Sequence, residues 1–176
     1  MTGAIPPNGA AGRADEADFA GLSPEERIAR LGIEIPRPQQ PLAQHLPVVV
    51  SRGFAFVSGH GPMDSDRNPV YTGAVGDRYT VEDGAKAARL SALNAISSLR
   101  LALGSLDRVV RVVKLTGLVL SAPGFDRQPW VVDGASEVLM EVFGPRRGPH
   151  ARTSVGVGSS ALRLTVTMEL VVEVES

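Results

Sequence analysis

The chain has 176 residues, 43% of them hydrophobic, and a formal net charge of -1. That is enough for one domain with a real core and too apolar for disorder throughout. The absence of cysteine rules out disulfides, thiolate nucleophiles and cysteine-ligated metals, and a near-neutral balance without a basic stripe gives a nucleic-acid role little electrostatic support.

Residues 1–22 are rich in Ala, Gly, Pro and Asp without apolar periodicity, and read as a mobile tail ahead of a single domain over 23–176. The opening residues lack the basic and apolar blocks of a secretory signal, and no apolar run is long enough for a bilayer span, so the expectation is a cytoplasmic protein with no membrane partner. Ser23-Pro24-Glu25-Glu26 is a helix start, with a cap, a proline at the first helical position and acids in the first turn; Gly32 ends it. Pro36 to Pro41 is too proline-rich for helix or central strand.

Val48–Ser51 and Phe54–Ser58 read as strands joined by a tight turn at Arg52-Gly53, and Val70–Gly73 as a short third strand. Thr80 caps a helix whose Leu90, Leu93, Ile96 and Leu99 recur at three-residue spacing, and Gly104 stops it. Val109–Leu120 is a long strand. A second long helix spans about Pro129 to Phe143, with Trp130 as a packing anchor at its start and Gly144-Pro145 as its stop. Arg152–Val157 is the next strand. Leu162, Leu164, Val166 and Met168 alternate with polar residues, the period of a last, half-buried strand that Val172 and Val174 extend. The order predicts an α+β fold, a mixed sheet with two helices on one face. An apolar second face would need another subunit to cover it.

Arg152 carries the clearest chemical signal. It opens a β-prone run of small residues, Ala151-Arg152-Thr153-Ser154-Val155-Gly156-Val157, and a guanidinium held at a strand end offers a planar fork that fits a small carboxylate; the alternative is a solvated surface arginine. His45, His60 and His150 are the only histidines, and none has metal-ligand spacing to another, so no metal is expected. His60, after Ser58-Gly59 at a strand end, can present an imidazole to a pocket, and His150 stands beside Arg152; solvated loop positions are the alternative for both. Glu169 on the last strand is a candidate ion-pair partner for Arg152. Thr167, on the same face as Glu169, can orient a water but is a poor base. Asp64 and Asp66 lack the glycine and terminal glutamate of a calcium loop and read as a turn.

Phe56-Val57-Ser58-Gly59-His60-Gly61-Pro62, Ala88-Arg89-Leu90-Ser91-Ala92-Leu93-Asn94, Val109–Lys114 and Ala151–Val157 together resemble the Rid/YjgF family, reactive intermediate deaminases whose older label is endoribonuclease L-PSP. The resemblance covers residues 42–175. It implies a chorismate-mutase-like α+β fold, a homotrimer whose sheets face inward as a barrel, sites in clefts between subunits, and no cofactor. It also implies that Arg152 grips the carboxylate of a 2-imino or enamino acid while water adds to the imine carbon, releasing ammonia and a 2-oxo acid. Ser58, Gly59 and Ser154 then help orient substrate or water. His45 stands loosely at a family tyrosine, His60 beside the cleft, and Asp133 and Ser136 are candidates on the second long helix. The chain departs from the deaminase pattern at two positions: Ser154 replaces a cysteine, and Thr167 replaces the glutamate that positions water, with Glu169 two residues on as a substitute. Ribonuclease activity is discounted, because the charge is slightly acidic and aromatics are only 5%. Three readings follow: an imine/enamine hydrolase, a non-catalytic trimer that binds or senses small carboxylates, and a pathway enzyme acting on another carboxylated metabolite.

Overall fold

The computed structural model describes residues 19, 21–38 and 44–175, so the expected tail over 1–22 lies almost wholly outside the described residues. Helix α1, Pro24–Leu31, begins at a capping box in which the Glu26 amide donates to the Ser23 hydroxyl and the Ser23 amide donates to the Glu26 carboxylate at 2.8 Å. Two donors that the first helical turn leaves orphaned are thereby satisfied. Gly32, at φ 62°, ends it. Glu25 accepts from Arg100 and from the Leu106 amide, and Arg27 Nε donates to the Glu141 carbonyl at 2.8 Å, so α1 is tied to both long helices.

Strands β1, Val48–Ser51, and β2, Phe54–His60, form a hairpin. Its turn has positive φ at both Arg52 (49°) and Gly53 (78°), the handedness that matches strand twist. Helix α2 spans Val81–Leu103, strand β3 Val109–Leu120, helix α3 Gln128–Arg147, strand β4 Ala151–Val157 and strand β5 Val166–Val174. The sheet order is β1-β2-β5-β3-β4. Only β3 and β4 run parallel, with α3 as their crossover; the other pairs are antiparallel. This is the α+β layer read from the sequence, with the two long helices covering one sheet face. The core between them includes Val57, Ile96, Leu99, Val112, Leu115, Val138, Leu139, Met168 and Leu170.

Two glycines set how closely α3 sits. A β-carbon on Gly134 would run into the Ala85 carbonyl of α2, standing 2.7 Å from its carbon, and one on Gly117 of β3 would stand 2.5 Å from Val132 Cγ2. The α2–α3 and α3–β3 approaches therefore depend on missing side chains.

Four local expectations are corrected. Val70–Gly73 is not a strand; only Thr72 makes an isolated bridge, to Leu164. The last strand begins at Val166, because Leu162 and Arg163 take φ of 54° and 56° in a short 3-10 turn, which leaves Leu162 exposed. Trp130 is 47% exposed and anchors nothing in the core. Gly144 is non-helical at φ 69°, yet one more turn follows it through Arg147.

Candidate active site

Arg152 is the second residue of edge strand β4 and pairs with Leu115 of β3, which in turn pairs with Leu170 of β5. Leu115 and Leu170 are buried beneath the helices, so Arg152 projects on the helix side, where α3 meets it. Its Nη1 donates to Asp133 Oδ1 at 2.6 Å and to Ser136 Oγ at 3.0 Å. Asp133 and Ser136 lie three residues apart and so share one face of α3.

His150 completes the cluster. Its Nδ1 lies 2.7 Å from the Gly148 carbonyl and its Nε2 3.1 Å from Ser136 Oγ. A carbonyl can only accept, so Nδ1 carries the proton in the neutral ring and Nε2 accepts from the Ser136 hydroxyl. One of the hydroxyl oxygen's two lone pairs then accepts from Arg152 Nη1. Histidine, serine and aspartate together fix one nitrogen of the guanidinium, whose side chain remains 27% exposed. Nε and Nη2 bond no other described residue, which leaves the Nε–Nη2 edge for a ligand. The ion-pair partner is Asp133, not Glu169.

The other sequence candidates lie elsewhere. Thr116 of β3 pairs with both Thr153 and Glu169, one position out of step with Leu115, so Glu169 is exposed on the open face of the sheet. On that face Lys114 Nζ donates to Thr153 Oγ1 at 2.5 Å. Thr167, paired with Leu118, also belongs to the open side and touches the β2 bulge: a β-carbon on Gly59 would stand 2.9 Å from Thr167 Cγ2. The bulge places Ser58 and Gly59 between Val57 and His60, where the register shifts. The Ser58 amide donates to the Pro47 carbonyl at 2.9 Å and so is already engaged. Ser154, opposite Gly117, is half-buried on the Arg152 side.

His60 turns inward. Its Nδ1 donates to the Ser58 carbonyl at 2.7 Å, and its Nε2 accepts from Ser98 of α2 at 2.8 Å. Burial lowers its pKa below the ordinary histidine value; the Ser58 carbonyl bond partly opposes this, and nearby His45 adds to it. The imidazole thus locks the end of β2 to α2. His45 itself is exposed.

In a single chain the candidates thus fall on two sides of the sheet: Arg152, Asp133, Ser136, His150 and Ser154 on the helix side at the sheet edge, Gly59 and Thr167 on the open side. A cavity of about 530 Å³ lined by Asp77, Ser121, Ser160 and Arg163 opens beyond the C-terminal ends of β3 and β4 and does not include Arg152. Sequence reading set His150 beside Arg152 from the His-x-Arg spacing, but not its bond to Ser136, for which the three-residue spacing of Asp133 and Ser136 was the signal. Among the described residues no helix is long and apolar enough to cross a membrane, and no group of three or more His, Asp or Glu side chains is placed to hold a metal.

The family model described as "YjgF/chorismate mutase-like, putative endoribonuclease" matches residues 25–169. Protein TCP17 of Trypanosoma cruzi is 40% identical over 149 residues, 85% of this chain and 92% of that protein. A crystal structure of an Agrobacterium tumefaciens protein of unknown function is 35% identical, with TM-score 0.78 over 86% of this chain and 92% of that one. A "putative endoribonuclease" from Shewanella oneidensis is 31% identical, with TM-score 0.82 over 87% of this chain and all of its own.

Proposed function

The chain belongs to the YjgF/Rid family, and from that membership we propose that it hydrolyses 2-imino and enamino acids to 2-oxo acids and ammonia, with the substrate carboxylate on Arg152 in a cleft between subunits of a homotrimer. The observation that carries the reading is the guanidinium itself: held at Nη1 by Asp133 and Ser136, still reachable, and with its Nε–Nη2 edge open. Such a group is oriented before a ligand arrives, which lowers the ordering cost of binding.

The shared cleft is supported by the division of the two half-sites across the sheet. Within one chain the sheet itself separates Arg152 from Gly59 and Thr167, so only a second copy can bring one set against the other. The open face also exposes Val49, Phe54 and Phe56 at one edge of the sheet and Val155 at the other, apolar side chains that association would remove from water. In the assembled cleft the imine carbon is already electrophilic, and the site's task is positioning. Water adds to that carbon, the carbon–nitrogen bond breaks, and ammonia leaves.

The test is ammonia release from 2-iminobutanoate generated in situ by an amino-acid oxidase. Arg152→Ala is expected to lower kcat/KM on the order of a hundredfold, with an unchanged circular dichroism spectrum. Native-like turnover by the variant would remove the clamp.

Thr167 motivates a second reading, a trimer that binds small carboxylates without turnover, because its hydroxyl is a poor base where the family carries glutamate. That reading expects 2-oxo acids to raise the melting temperature while ammonia release stays at the uncatalysed rate.

A further inference from the structure

Arg27 is a buried cation without a counter-ion. Only 9% of it is exposed, and a buried charge is costly unless an opposite charge meets it. Its Nε donates to the Glu141 carbonyl and its Nη1 to the Phe19 carbonyl, and its Cζ lies 5.3 Å from the centroid of the Phe19 ring. These partners satisfy hydrogens but leave the charge unbalanced, and Nη2 bonds no described residue. The Glu141 carboxylate is itself taken by Arg89 at 2.6 Å. Burial lowers the Arg27 pKa and no acid raises it back, yet a guanidinium in a protein stays charged.

Two more arginines share the space beside it. Gly144, at φ 69° and ψ −179°, occupies a backbone region essentially reserved for glycine and interrupts α3 one turn before its end. A β-carbon there would stand 3.2 Å from Arg27 Cζ and Nε, so the missing side chain makes room for the guanidinium. The last turn carries Arg146 and Arg147. With Arg27 they line a cavity of about 550 Å³ between α1, the end of α3 and the start of β3. The exposed Arg146 side chain bonds no described residue, and Arg147 uses only Nη1, on the Asp107 carbonyl at 3.1 Å. Glu175 is the only acid among the described residues of the lining, and its carboxylate pairs with no described cation. Two positive charges are thus in excess here, in a chain whose formal net charge is -1. Val109 and Phe143, both buried, supply an apolar wall.

We infer that this cavity binds a small phosphate monoester, its dianionic phosphate held by Arg27, Arg146 and Arg147 and its organic group against Val109 and Phe143. Guanidinium forks match phosphate oxygens, and the excess charge matches a dianion better than a monocarboxylate. The volume lies in the ordinary range of small-molecule sites, so room remains for the organic group. Arg152 does not line this cavity, and the inference stands independently of the carboxylate clamp.

Calorimetric titration of the full chain at about pH 8 tests it with three probes of similar size: phenyl phosphate, a dianion there, methyl phenyl phosphate, a monoanion, and phenylacetate, a monocarboxylate. The native protein is expected to bind phenyl phosphate at least about tenfold more tightly than either monoanion. Arg27→Gln and Arg146→Gln should each weaken that binding at least about tenfold with an unchanged circular dichroism spectrum; if the buried variant fails to fold, the exposed Arg146→Gln decides. Arg152→Ala should bind phenyl phosphate as the native protein does. A native protein that binds no phenyl phosphate or shows no preference for it, or Arg146→Gln binding within about twofold of native, overturns the inference. Binding lost in Arg152→Ala and kept in Arg146→Gln would place the phosphate on the clamp and overturn it equally.

Discussion

His60 and Arg152 illustrate how much a single side chain's identity leaves undecided. Each was legible as a polar residue at a strand end, and each end proved different. His60 sits over α2, neutral between the Ser58 carbonyl and the Ser98 hydroxyl. Its folded pKa lies below its unfolded one because burial opposes the charged ring. The unfolded chain therefore takes up the proton first, and His60's contribution is intact above about pH 6.5 and lost as pH falls toward the depressed folded value. Urea unfolding should show stability dropping on acidification through this window, with a shallower drop in His60→Gln; an identical pH slope in the variant would contradict the assignment. For Arg152 the residue was legible and the partner was not. Glu169 was a reasonable candidate because consecutive strands are often neighbours. Here β3 lies between β4 and β5, and the registers put Glu169 on the opposite face. Alternation within one strand reveals which residues share a side of that strand, never which side of a neighbour they meet.

Among the elements, α3 does the most to build the site, since it delivers Asp133 and Ser136 to Arg152. Its buried face was readable from Val131, Val138, Leu139 and Val142, all of which are in the core. Its seat was not, because that depends on Gly134 and Gly117, and a missing side chain signals a close approach only once the facing element is known. Gly134→Ala would drive a methyl group into the Ala85 backbone, which cannot give way as a flexible side chain does. The variant is expected to lose about 3 kcal/mol or more in urea denaturation and to weaken carboxylate binding by displacing Asp133. Native stability in Gly134→Ala would show that the helices are not held at this separation. The last strand failed differently. Leu162 and Leu164 continue the alternation of Val166 and Met168, but left-handed backbone at Leu162 and Arg163 breaks the strand before it starts, and periodicity carries no information about φ.

For the molecule as a whole, the order of the five strands and the helices, the mixed sheet and the one-sided helical layer were legible, apart from the extra strand expected at Val70–Gly73, because the amphipathic periods of α2, β3 and β5 are strong and the caps and glycine stop of α2 are in place. The open face was legible as a consequence: two helices cover one side, and Val49, Phe54, Phe56 and Val155 are left on the other. Under the proposed function a complete site needs a second subunit, because the sheet holds Arg152 on one side and Gly59 with Thr167 on the other.

Subunit mixing reads that claim most directly. Arg152→Ala chains lack the clamp, and Thr167→Trp chains fill the opposite half-site. Each homogeneous protein should be inactive toward 2-iminobutanoate generated in situ. After the two are unfolded together in equal amounts and refolded, one interface in four unites two intact halves, and ammonia release should recover to about a quarter of the native rate. Mixed assemblies that form, as verified by mass, yet release no more ammonia than their parents would contradict a site shared between subunits.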